Sequence, residues 1–296
     1  MTPSPTTHEE RGARTYGAYL AMSLIWGSTF LAIRIGNEAV PPIWSAILRL
    51  SLATVLYTAI ALLTRTPHPR GPALRAAVVY GFLNYGVNFV LLYWGELTVP
   101  SGTSAILYAT IPLTTAVAAA MLRVHPLQKN EVLGAVIGLA GVVFVFSGEL
   151  SKGGPPLALA AVFIAAIAGA LAGVALKMGP PQSTWAANGI GAAVGLVVCI
   201  PCSLALGESW AMPRGMAGWG PILYLVLAGN LGAYALYGWL LTKWKVTTVN
   251  SITLIIPVVA VILGALVRSE ALTAGAIGGA ALVMAGVAIT LFTKRR

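Results

Sequence analysis

The chain has 296 residues, of which 58% are hydrophobic and only 9% charged, with a formal net charge of +10. A soluble domain carries about 25% charged residues, so this chain lacks the polar surface of a water-soluble globule and must be solvated by a bilayer. The basic balance is therefore not a nucleic-acid footprint: Lys and Arg sit between apolar runs, where they report topology.

In chain order, residues 1–15 are polar and read as a cytoplasmic tail. A cleavable signal would have a short apolar core and a small-residue cleavage site. The run 16–35 instead has the roughly 20-residue length of a spanning helix and is read as a retained first helix. Nine further runs follow at 43–63, 73–95, 101–122, 130–147, 156–177, 184–206, 218–242, 247–267 and 271–292. Pro, Gly and charge mark the breaks, as at Pro41-Pro42, His125-Pro126 and Gly179-Pro180-Pro181. The connections are short, so the expected fold is one all-α integral membrane bundle of ten transmembrane helices. Of the acidic residues, Glu38, Glu149 and Glu208 fall in loops, and Glu96, Glu131 and Glu270 at helix ends.

Charge orients this bundle. With the N-terminus in the cytoplasm, thirteen Lys and Arg face the cytoplasm and four (Arg34, Lys152, Arg214, Arg268) face outward, while Arg49 stays within the second helix. That bias predicts both termini inside. The chain is also internally repeated. Residues 94–148 overlay 239–293 at a fixed offset of 145, pairing Trp94 with Trp239, Ile111-Pro112 with Ile256-Pro257, and Ala140-Gly141-Val142 with Ala285-Gly286-Val287. Five helices per half is an odd number, so the second half enters from the opposite side. The expected organisation is two inverted five-helix repeats, 16–148 and 156–293, with 294–296 as a cytoplasmic C-terminus. Such repeats place a substrate near the midplane and rock around it, which makes transport the first functional class.

Polar and aromatic residues recur on single helix faces. Tyr80, Asn84 and Asn88, with Tyr85 beside them, mark the third helix, and Asn230, Tyr234 and Tyr237 mark the eighth; Asn230 is the repeat counterpart of Tyr85. Amides are costly against lipid, so these stripes face either a wet pathway or interhelical hydrogen-bond seams. Tyr108 continues the pattern on the fourth helix; Thr247, Asn250 and Ser251 do so before Pro257. Pro112 and Pro257 lie within their helices as candidate helix breaks, either flexible points beside the pathway or static kinks. Arg49 sits about six residues into its helix, roughly 9 Å below the outer surface at 1.5 Å per residue. It either receives a substrate carboxylate or pairs with Glu38 or Glu96. Trp26, well inside the first helix, is the Trp best placed to stack on a ligand. Glycine runs at Gly134, Gly138 and Gly141, and at Gly275, Gly278 and Gly279, read as close helix packing.

An enzyme is disfavoured. The chain has eight Glu and no Asp, its three His lie in the tail or loops, and no nucleophile stands at helical spacing from a base. Cys199 and Cys202 read as packing residues in an apolar run, and neither a metal nor a cofactor is implied.

Trp26-Gly27-Ser28-Thr29-Phe30, Ala46 with Arg49, Pro257 with Glu270 thirteen residues later, and Ala285-Gly286-Val287 together resemble the EamA-type family of the drug/metabolite transporter superfamily. The first half departs from that pattern in placing His125 where the second has Glu270. The resemblance implies a ten-helix exporter of small metabolites, often amino acids, with aromatic-amino-acid exporters of the family as the nearest likeness. The expected function is export of small neutral metabolites, amino acids and aromatic ones favoured, across a bacterial inner membrane, by a monomer or homodimer. The alternatives are a lipid or headgroup flippase, a nucleotide-sugar carrier, and a proton-coupled exporter. No glutamate falls in the middle third of a helix, so obligatory proton coupling is not expected.

Overall fold

The computed structural model describes residues 12–123, 128–151, 155–241, 243–244, 249 and 252–292. These residues form ten rods: α1 (Ala13–Ala39), α2 (Pro42–Leu63), α3 (Pro72–Gly95), α4 (Ser101–Met121), α5 (Lys129–Ser151), α6 (Pro156–Met178), α7 (Thr184–Ala205), α8 (Gly215–Leu240), α9 (Ile252–Arg268) and α10 (Ala274–Phe292). The first eight are long and apolar enough to cross a membrane; α9 and α10 are apolar but shorter. No strand occurs among the described residues.

The rods lie where apolar run length put them, with differences that matter. α1 begins at Ala13, inside the expected tail, because Thr15 exchanges hydrogen bonds with the Gly12 backbone and closes the first turn. Glu38, expected in a loop, lies in the last turn of α1, which runs on to Ala39. Glu149 lies in the last turn of α5 rather than in a loop; the Thr103 and Thr273 hydroxyls donate to its carboxylate at 3.3 and 3.4 Å, which lets the helix carry it inward. Residues 1–11, His125, Thr247, Asn250, Ser251 and the expected C-terminus at 294–296 lie outside the described residues.

Short connections make successive helices antiparallel, so five of them leave the second half inverted against the first. The packing follows that symmetry: α2 lies on α7 and α5 on α10, while the α1–α9 pair is matched by α6–α4. The α5–α10 seam is held at backbone distance by glycine. A Cβ on Gly141 would sit 2.7 Å from the Gly279 carbonyl oxygen, and one on Gly279 2.5 Å from that of Gly141. Small residues of this kind drive association where lipid removes the hydrophobic effect between helices. Gly278, grouped with them by sequence, has no neighbour within 4 Å and does not belong to the seam.

Two helices carry π-helical turns, Phe82–Val87 in α3 and Leu225–Gly232 in α8. At the 145-residue offset they coincide over 227–232, so the inverted halves share the same local defect. Such turns re-aim side chains and recur at functional sites. α4 is interrupted at Ala109 and Thr110, ahead of Pro112, which then stands in the first turn of the next piece, where its missing N–H costs little. The break expected at Pro257 is not seen: α9 runs through it. A membrane bundle tolerates such a proline because neighbouring groups satisfy the backbone around it.

Candidate functional site

Helices α1–α4 of one half and α6–α9 of the other enclose a cavity of about 840 Å³. All ten residues singled out from the sequence line it: Trp26, Arg49, Tyr80, Asn84, Tyr85, Asn88, Tyr108, Asn230, Tyr234 and Tyr237. It runs from Arg49 to the α6–α7 connection, where Lys177, Pro180 and Gln182 border it.

Most of its amides are already engaged. Asn188 of α7, one turn inside its helix, accepts hydrogen bonds from the Tyr80 and Tyr85 hydroxyls at 2.8 and 2.6 Å. Asn84 donates to the Tyr80 hydroxyl at 3.2 Å. Asn88 donates to the Ala165 carbonyl of α6 at 3.0 Å and accepts from Tyr108 at 2.9 Å. The stripe on α3 is thus both a hydrogen-bond seam and a cavity wall. Asn188 and Phe89 escaped the sequence reading; a lone Asn within the apolar run of α7 was the available signal for the first.

An aromatic group adjoins this seam. Trp26 meets Tyr234 and Tyr237 with both ring centroids at 5.7 Å, and Phe30 meets Tyr108 edge-on at 5.2 Å. Arg49, only 7% exposed, donates to the Asn230 side-chain oxygen at 2.6 Å and to the Tyr93 hydroxyl at 3.1 Å, with its guanidinium carbon 4.7 Å from the Phe89 ring centre. Neither carboxylate proposed for it is its partner. Glu38 pairs with Arg268, and both oxygens of Glu96 lack a hydrogen-bond partner. The geometry of α2 explains this: Arg49 projects toward α8 and α3, away from the Glu38 end of α1.

Beyond Arg49, bonds between the halves close that end of the bundle. Glu270 accepts from the Ser101 backbone and hydroxyl, capping the start of α4 at 3.0 and 2.7 Å. Glu208 does the same for α2 through the Ile43 and Trp44 N–H groups, and Trp44 stacks on Trp210. Within the first half, Arg34 donates to the carbonyls of Glu96 and Val99. The cavity is therefore sealed at the α2 start and extends to the α6–α7 connection at the other end.

The EamA-like transporter family model matches this chain twice, over residues 14–147 and 153–292. The chain belongs to the EamA-like transporter family. It is a multi-pass membrane transporter, not an enzyme. It is 33% identical over 262 residues to the uncharacterized inner membrane transporter YedA of Escherichia coli K12, covering 87% of this chain and 84% of that one. It is 24% identical over 286 residues to a probable amino-acid metabolite efflux pump of Salmonella typhimurium LT2, covering 93% and 94%. A solved crystal structure superposes with a TM-score of 0.62 at 19% identity, over 94% of this chain and 97% of the other, which shows a shared fold.

Proposed function

We propose that this transporter exports small metabolites of the amino-acid class, aromatic ones favoured, across a bacterial inner membrane. The two repeats, 16–148 and 156–293, rock about the cavity in alternating access, with both termini cytoplasmic. Trp26, Arg49, Tyr80, Asn84, Tyr85, Asn88, Tyr108, Asn230, Tyr234 and Tyr237 form the substrate pathway. The observation that carries this reading is one cavity of ligand size between inverted halves, built from aromatic and amide side chains with an Arg at its sealed end. The name of the Salmonella relative supports the amino-acid class. On this topology the cavity is open toward the cytoplasm and latched outside by Glu270 and Glu208.

Transport runs down the substrate's own gradient without obligatory proton coupling, since no glutamate lines the cavity among the described residues. Counterflow in proteoliposomes tests this. Labelled aromatic amino acids should exchange equally well with and without a pH gradient. Uphill accumulation driven by the pH gradient alone would reject uncoupled transport and direct attention to Glu96.

A further inference from the structure

The charge of the cavity is one-sided. Among the described residues its lining holds two cations, Arg49 and Lys177, and no carboxylate. The chain has no Asp. The six described glutamates are all placed elsewhere: Glu38 on Arg268, Glu131 on the Gln128 N–H, Glu149 on Thr103 and Thr273, Glu208 on α2, Glu270 on α4, and Glu96 in the outer seal. Burial pushes the Glu96 carboxyl well above its ordinary range, so it tends to the neutral acid and does not balance Arg49.

Among the described residues the guanidinium is thus a buried cation met by neutral groups, the Asn230 oxygen, the Tyr93 hydroxyl and the Phe89 ring. Its Nε and the Asn230 amide nitrogen, both buried, have no acceptor. A charge in that position is costly without an anion beside it. Of the amide oxygens near Arg49, that of Asn230 already accepts from Arg49 and that of Asn88 from Tyr108, while an unpartnered one, Gln182 Oε1, stands at the α6–α7 end with Lys177; none carries the full negative charge that an ammonium would pair with. In a free amino acid the ammonium lies next to the carboxylate, so docking the carboxylate on Arg49 would leave the ammonium without a counter-ion among the described lining residues.

We infer that the cavity reads the carboxylate and the aromatic body of its cargo but not an ammonium group, so that the preferred substrates are aromatic monocarboxylates whose amine is absent or acylated. This rests on the amino-acid-class reading above and sharpens it, replacing the neutral zwitterion with a monoanion.

Counterflow into proteoliposomes of the full chain, corrected with protein-free vesicles, tests it with three probes that share one ring: N-acetyl-L-phenylalanine, L-phenylalanine and L-phenylalaninamide. The monoanion should exchange at least about tenfold faster than the zwitterion, a factor worth about 1.4 kcal/mol, and the amide should not exchange. A zwitterion rate equal to or above that of the monoanion overturns the inference and leaves the amino-acid exporter standing. Exchange of none of the three overturns both. Asn230→Asp supplies a second reading, since it sets a carboxylate at the 2.6 Å position beside Arg49 and neutralises it. Its monoanion flux should fall by more than about tenfold relative to its zwitterion flux; an unchanged preference in folded, monodisperse protein overturns the inference. The wild-type comparison needs no variant and stands by itself.

Discussion

Glu96 is the residue whose surroundings ask most of the fold. It follows the last turn of α3, is fully buried, and neither carboxylate oxygen has a hydrogen-bond partner. Burial raises its pKa well above the ordinary 4.5, and the Glu270 carboxylate adds to the rise; the Ser104 hydroxyl and the Arg34 guanidinium oppose it only in part. A carboxyl with a raised folded-state pKa costs nothing while both states are protonated. The cost grows as pH climbs past the unfolded value toward the folded one, because only the unfolded chain gains by ionising. Glu96→Gln imitates the neutral acid. It should match the wild type in thermal unfolding at about pH 3, well below the ordinary glutamate pKa, where Glu96 is protonated in both states. Near neutral pH it should be more stable by about 1–3 kcal/mol. Parallel unfolding curves at both pH values would show that Glu96 is solvated in detergent. The sequence placed Glu96 at a helix end, which is true, but its surroundings include Arg34 of α1, α6 beside Gly95, and Glu270 of the other half, and no local pattern encodes them.

At the scale of elements, the α5–α10 seam depends on glycine backbones in contact, and it makes a paired prediction. Gly279→Leu puts a side chain where a Cβ already lies 2.5 Å from the Gly141 oxygen. It should destabilise the protein by about 1–3 kcal/mol, the range of overpacking in a filled interior. Gly278→Leu, one position along, meets open space and should cost no stability, since helix propensity favours Leu over Gly by up to about 1 kcal/mol. Thermal melts in detergent compare the two; equal losses would mean that Gly279 is no more crowded than Gly278 and that the seam does not set the effect. The glycine periodicity was legible in the sequence, but its phase was not, since which of two adjacent glycines faces the partner depends on how α10 is rotated. The π turns in α3 and α8 were invisible for a related reason: they arise from how each helix is packed in the bundle, not from a residue type.

For the whole molecule, orientation is the property that labelling decides. The Lys and Arg bias places Arg70, in the α2–α3 connection, inside and Arg214, in the α7–α8 connection, outside. Both are exposed in the structure. In a background without Cys199 and Cys202, Arg214→Cys should react with a membrane-impermeant maleimide added to intact cells, and Arg70→Cys only after permeabilisation. The reverse pattern would turn the protein over and make the open end of the cavity an outer mouth.

Apolar run length, charge bias and the 145-residue echo determined the ten helices, their order and the inversion of the halves, because a bilayer forces each span to satisfy its own backbone and so makes local composition sufficient. The periodicity of Tyr80, Asn84 and Asn88 and of Asn230, Tyr234 and Tyr237 likewise put them on single faces. Only the tertiary structure decided what those faces meet. Asn188 of α7 gathers the tyrosines of α3, Asn230 of α8 takes Arg49 of α2 where a substrate carboxylate, Glu38 or Glu96 stood as alternatives, and Glu270 caps α4 in the other half. These contacts join residues more than a hundred positions apart, and their partners are fixed by helix rotation and depth, quantities that a sequence period of one helix does not contain.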